Sequence, residues 1–311
     1  MIAGASASLG FVRRSRRSAQ AVALATLLTL FSFGAGADTV TVEGQRNRAE
    51  LQRKVNAFLS SVIVHHHDWS FARWDQAVCP LVAGLSRDEG EFMLARLSTI
   101  VRAAGAPLAP ETCKPNFFVV VTAEPTVLLR KWRHRDPHLF DNTFGEVKVK
   151  RFINTPRPIR VWYNAEFIGS DGTTFYADSL PGGAMVGISG LGQMTYPLNN
   201  RARGSRLLYD DVAAISTAIV IVDSKRIEGL KFGQLADYIA MIGLAEVNLD
   251  KDLGDAPTIL HLFAAAAGAK KEALTPWDQA FLKALYGTPQ EDVIQLSEMQ
   301  TAALRYIAQT P

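Results

Sequence analysis

Histidine is the side chain best suited to proton transfer or metal binding near neutral pH, and this chain of 311 residues has six of them. Three are consecutive, His65, His66 and His67, with Asp68 next in line. In a strand His65 and His67 share one face, and in a helix successive residues point about 100° apart. Either geometry supplies only part of a metal site, so His65 and His67 stand as incomplete candidate ligands. The alternative is a solvated helix end, where the dipole favours partial positive charge. His134, His138 and His261 are scattered, and with carboxylates such as Asp237 and Glu246 they form a set from which folding can assemble a hydrolase site. Arg130-Lys131-Trp132-Arg133-His134-Arg135 surrounds an aromatic with cations, and Lys148, Lys150, Arg151, Arg157 and Arg160 follow. That pattern suits stacking and clamping of an anionic polymer, or else a helix C-terminus decorated with cations. Gly182-Gly183, Gly187, Gly190 and Gly192 lack the Lys-Ser or Lys-Thr of a phosphate loop. Gly187-Ile188-Ser189-Gly190 misses a nucleophile elbow by one residue.

The most specific pattern lies between Ala236 and Gly287. A helical stretch reads Ala236-Asp237-Tyr238-Ile239-Ala240-Met241-Ile242-Gly243-Leu244-Ala245-Glu246. Thr258-Ile259-Leu260-His261 follows, then Leu274-Thr275-Pro276-Trp277-Asp278-Gln279-Ala280 and Leu285-Tyr286-Gly287. This order resembles the C-terminal half of a metzincin-type zinc metallopeptidase, and it is also similar to exported proteobacterial proteins. In the metzincins a helix with H-E-x-x-H-x-x-G-x-x-H holds zinc, a methionine turn underlies the metal, and a terminal helix reads like L-T-x-x-D-I-A-A-I-Q-x-L-Y-G. Leu274, Thr275, Asp278, Ala280, Leu285, Tyr286 and Gly287 match that terminal helix. Gly243 and Leu244 take the glycine-leucine break, and Thr258-Ile259-Leu260 resembles the methionine turn with leucine in place of methionine. The resemblance implies a zincin-like scaffold.

Carried over residue by residue, it removes the chemistry. The helical histidines fall on Ala236 and Ala240, the catalytic glutamate on Asp237 and the third ligand on Glu246. Zinc in a catalytic site needs three protein ligands and an open position for water. Alanine has no lone pair to offer. The resemblance therefore implies a pseudo-enzyme with no catalytic residue, no metal and no cofactor at these degenerate positions.

The N-terminus supplies an address. Arg13, Arg14, Arg16 and Arg17 precede an apolar run from Ala21 to Phe33, and Ala35-Gly36-Ala37 offers small residues for cleavage before Asp38. Residues 1–37 are thus read as a signal peptide, and the product as periplasmic or secreted. The run is shorter than the roughly 20 residues of a membrane span, so no integral membrane segment is expected after cleavage. Losing four arginines takes the formal charge from +3 to −1, and a nearly neutral product gives no reason to expect nucleic acid as a partner. Cys79 and Cys113 are the two cysteines, and an oxidising compartment favours pairing them.

These residues need elements to position them. Helical spacing of apolar residues predicts helices over Arg48–Val64, Asp88–Ala104, Thr126–Arg133, Phe232–Glu246, Pro276–Tyr286 and Glu291–Ala308. Asn116–Thr122, Ile159–Phe167 and Ile215–Val222 read as strands, and Gly169–Asn200 as turns and short hairpins. The fold class is α+β with a helical C-terminal third. Residues 38–150 form an N-terminal portion and 151–311 a metzincin-like portion packed with it as one unit. Two functions are consistent with this sequence. One is an exported, non-catalytic envelope protein that binds a peptide, polymer or protein partner. The other is a periplasmic hydrolase assembled from the scattered histidines and carboxylates.

Overall fold

The computed structural model describes residues 35–64, 70–137, 139–140, 146–169, 174–175, 185–186, 194–195, 211–264, 271–291 and 293–310. The histidine tract at 65–67, His138, most of the glycine-rich stretch and nearly all of the expected leader lie outside these residues. Met1–Leu51 and Gln52–Pro311 separate as two compact units. Of the first, the described part is the opening stretch of helix α1 (Ala35–Val62), which includes the expected cleavage junction and begins well before the predicted Arg48. No helix among the described residues is long and apolar enough to cross a membrane.

The second unit is mixed α and β, in keeping with the α+β class. Its sheet runs in the order β1 (Pro80–Ala83), β2 (Phe117–Thr122), β7 (Asp211–Asp223), β3 (Ile159–Gly169) and β4 (Thr174–Phe175). β1, β2 and β7 are parallel, whereas β3 pairs antiparallel with both β7 and β4. β5 (Met185–Val186) and β6 (Met194–Thr195) form a separate two-stranded ladder. Register assigns the two faces, because paired residues in neighbouring strands point the same way. Phe118, Ile219 and Trp162 lie on one face, and Phe117, Ala218 and Tyr163 on the other.

On the first face pack α3 (Pro125–Arg135) and α4 (Glu146–Asn154), whose Leu129, Val149 and Ile153 join Phe140, Trp162, Ile219 and Ile221 in one buried cluster. The predicted strands are found; β3 and β7 run longer than the sequence pattern suggested, and β2 starts one residue later. α4 and β1 are additions to the sequence reading. α4 carries Lys148, Lys150 and Arg151 of the basic run, and its buried stripe is only Val149 and Ile153. β1 is four residues at the sheet edge, too short to show a period.

On the second face lie α2 (Arg87–Ala104) and α5 (Phe232–Leu244). α2 begins where Ser86 donates through its amide and hydroxyl to the Glu89 carboxylate, and it ends at Gly105 with φ 83°, a left-handed value that glycine adopts without a Cβ penalty. α5 is buried from Gln234 to Leu244, as a helix apolar all round must be. Gly243 permits this depth. A Cβ there would lie 2.0 Å from Phe117 Cζ.

Burying a helix end strands its last carbonyls. Here three aromatic side chains supply donors. Trp74 Nε1 donates to the Gly243 carbonyl at 2.8 Å, and Tyr286 Oη to that of Leu244 at 2.6 Å. The one hydroxyl proton of Tyr163 is shared between the carbonyls of Ile242 and Ala245, the latter 3.0 Å from Oη. α6 (Pro276–Gly287) is finished in the same way, since Arg73 Nη1 donates to the carbonyls of Leu285 and Thr288 at 2.7 and 2.9 Å. α7 (Gln295–Gln309) then closes the described chain.

Cys79 and Cys113 form a disulfide with Cα atoms 6.0 Å apart, closing a separation of 34 residues that contains β1 and α2. Replacing both cysteines with alanine is expected to cost about 3 kcal/mol through release of the unfolded chain, read in urea unfolding. Gly243→Ala gains helix propensity but collides with a buried ring, and a net loss of about 2 kcal/mol is expected. Adding Phe117→Leu should recover part of that loss, which the same unfolding curves measure.

Candidate functional site

The degenerate motif positions all lie in or just beyond α5. Ala236 and Ala240 are fully buried. By helical geometry they share a stripe with Gly243, and Gly243 abuts Phe117 of β2. The stripe that holds zinc ligands in a metzincin is therefore the stripe that packs toward the sheet here. Asp237 is 0 % exposed, and its carboxylate is taken. Arg96 of α2 donates from Nε to Oδ1 at 2.5 Å and from Nη2 to Oδ2 at 2.8 Å, while the Leu274 amide donates to Oδ2 at 2.7 Å. The bond to Asp237 holds the Arg96 guanidinium above its ordinary range. Glu246 follows the helix end and is half-buried, where its charge bears on the Tyr163 phenol. Two alanines and a carboxylate committed to a guanidinium do not fit a zinc ion. Among the described residues no group of three or more His, Cys, Asp or Glu is placed to hold a metal.

The segment Thr258-Ile259-Leu260 is a buried turn that opens a short 3-10 helix, Ile259–Phe263. Asp278 holds it from below. This carboxylate is fully buried at the start of α6 and accepts from Thr258 Oγ1, from the Ile259 amide at 2.9 Å, and from the Thr275 amide and hydroxyl at 2.8 Å each. The Thr-x-x-Asp pair that starts the terminal helix is thus also what fixes the turn. The pair forms a capping box at the start of α6, and its second partner lies 20 residues away.

The open volume at α5 lies elsewhere on its circumference. Tyr238 is two residues from Ala236, about 200° around the helix, and it lines a cavity of about 350 Å³ with Arg157, Leu260, His261 and Phe263. Tyr238 and His261 were legible as residue types; their convergence was not. His134 is exposed in the last turn of α3 and does not line this cavity.

Much of the basic cluster is engaged by partners within the described structure. Trp132 packs against the buried cluster beneath α3 and α4, and Arg130 donates to Asn154 Oδ1 at 2.7 Å. Arg133 pairs with Glu146 at 2.9 Å, and Arg151 and Arg157 both reach Asp250. Arg160 is buried and donates to the Ile153 carbonyl at 2.6 Å, ending α4.

Comparison with protein-family models, with curated proteins and with solved structures finds no match to this chain.

Burial lifts the Asp278 carboxyl above its ordinary 3.8, with the hydrogen bonds from Thr258, Thr275 and Ile259 opposing the rise. A carboxyl that binds its proton more tightly when folded adds stability in full below pH 3.8, and that part is lost as pH rises through the folded value. Asp278→Asn keeps the shape and removes the titration, so its stability relative to the native chain should rise with pH across that window. Asp278→Ala leaves the Ile259 and Thr275 amides unpaired and should cost about 3 kcal/mol at low pH, the cost shrinking as pH rises through the same window. Urea unfolding between about pH 3 and pH 7 reads both.

Proposed function

We propose that this chain is an exported, non-catalytic protein of the cell envelope, periplasmic or secreted, built on a degenerate metallopeptidase-like scaffold and binding a peptide, polymer or protein partner. The observation that carries the reading is the fate of Asp237. Where a metallopeptidase places its general base beside zinc, this chain places a fully buried carboxylate engaged at both oxygens by Arg96 and at one by the Leu274 amide, in a helix stripe flanked by two fully buried alanines. Catalysis by a carboxylate requires a free lone pair aimed at substrate. This one is fully buried and faces Arg96.

Two further features support the scaffold. Asp278 ties the terminal helix to the turn at Thr258–Leu260, and Tyr286 of the same helix ties it to the end of α5. Those are the positions through which the sequence resembles the metzincins, kept for architecture after the ligands are gone. Export is supported by the arginine-rich leader and its small-residue junction, and the disulfide suits an oxidising compartment.

The protein purified from a periplasmic fraction should begin at Asp38 by N-terminal sequencing. Elemental analysis should find zinc well below one equivalent, and casein should survive overnight incubation with or without chelator. Stoichiometric zinc together with chelator-sensitive cleavage would overturn the non-catalytic reading, and recovery of the full-length chain in the cytoplasm would overturn export.

A further inference from the structure

We propose that the cavity lined by Tyr238, His261 and Arg157 binds a carboxylate carried on an apolar group, the chemistry of a peptide C-terminus with an apolar last residue or of a free aromatic acid. The inference rests on reading the chain as a binding protein and says where it binds and what.

Tyr238 is 5 % exposed, and its ring meets Phe263 edge-on with centroids 4.9 Å apart. Its hydroxyl has no hydrogen-bond partner among the described residues, although a buried tyrosine hydroxyl ordinarily finds one. His261 Nε2, on the same cavity, is likewise buried and unpartnered. A buried polar atom left unpaired, as His261 Nε2 is, costs about 1–3 kcal/mol, and with the Tyr238 hydroxyl on the same cavity wall it describes a surface shaped for something that accepts from both. A carboxylate has two oxygens for the purpose.

Charge agrees with this choice. Asp250 takes both Arg157, at 2.6 Å, and Arg151, at 3.3 Å, so two guanidinium groups share one carboxylate and one positive charge is left over. Burial pushes the Tyr238 phenol above its ordinary range, and Arg157 is the charge that pulls it back. Asp250 and Asp252 are on the exposed rim, and Asp252 Oδ1 already accepts the Gly254 amide at 2.9 Å. Donors therefore lie deep and acids outside. Ile159, Leu260 and Phe263 supply the apolar walls, and the volume falls within the range of small-ligand pockets.

Isothermal titration of the purified protein with N-acetyl-Ala-Phe as free acid, with its C-terminal amide and with 3-phenylpropanoate tests the proposal. The acid should bind, and the amide should bind at least about tenfold more weakly, as expected for loss of one charge-assisted bond. Tyr238→Phe keeps the ring against Phe263 and should weaken acid binding about fivefold or more without lowering the melting temperature. His261→Gln gives the same reading should that variant fold poorly. Binding of the peptide acid alone identifies a peptide C-terminus as the source, and equal binding of 3-phenylpropanoate identifies free acids. The proposal is overturned if neither acid binds up to about 10 mM, if acid and amide bind alike, or if the well-folded variant binds as the native protein does. A failure here leaves the casein and zinc measurements standing, and a failure there leaves this one standing.

Discussion

Four consecutive carbonyls, from Ile242 to Ala245, end α5 in the protein interior, and the surrounding structure is arranged to give them donors. Water cannot serve carbonyls at that depth, and each one left alone would cost as much as a lost hydrogen bond. The donors come from three separate places in the sequence. Tyr163 belongs to β3, Trp74 to the segment after α1, and Tyr286 to α6. Meeting one local requirement thus binds the sheet, the N-terminal segment and the terminal helices to one point. Arg73, beside Trp74, repeats the arrangement for the end of α6.

Once that end is fixed, the rotation of α5 is fixed with it. Ala236, Ala240 and Gly243 turn toward the sheet, where small side chains let Phe117 come close. Asp237 turns toward α2 and meets Arg96. Tyr238 turns away from the alanine stripe to the cavity with Arg157 and His261. The same helix therefore has an architectural side and a chemically unsatisfied side, and the sequence motif that draws attention first is on the architectural one.

Much of the fold was legible because α2, α5 and α6 are long and periodic, and β2 is a continuous apolar run between prolines. What was missed lacked a period. β1 offers four residues, and α4 hides two buried positions among cations. The site was less legible than the fold. Asp237 could be read as a degenerate base, but its partner Arg96 is 141 residues away and leaves no local trace. The pairing of Cys79 with Cys113 was readable because only one pairing exists.

The sheet order carries a consequence for how the chain is made. β7 sits between β2 and β3 yet is the last of the five strands in sequence. Until residue 211 has emerged, β2 has an open edge on one side and β3 has no neighbour but β4. Both are apolar strands with unpaired backbone groups, the kind of edge that recruits other chains. A chain delivered from its N-terminus therefore spends about ninety residues of synthesis, from Thr122 to Asp211, with its future centre missing. Its most hazardous moment is before the keystone strand arrives, and holding that intermediate apart from its neighbours is a task the native structure does not perform for itself.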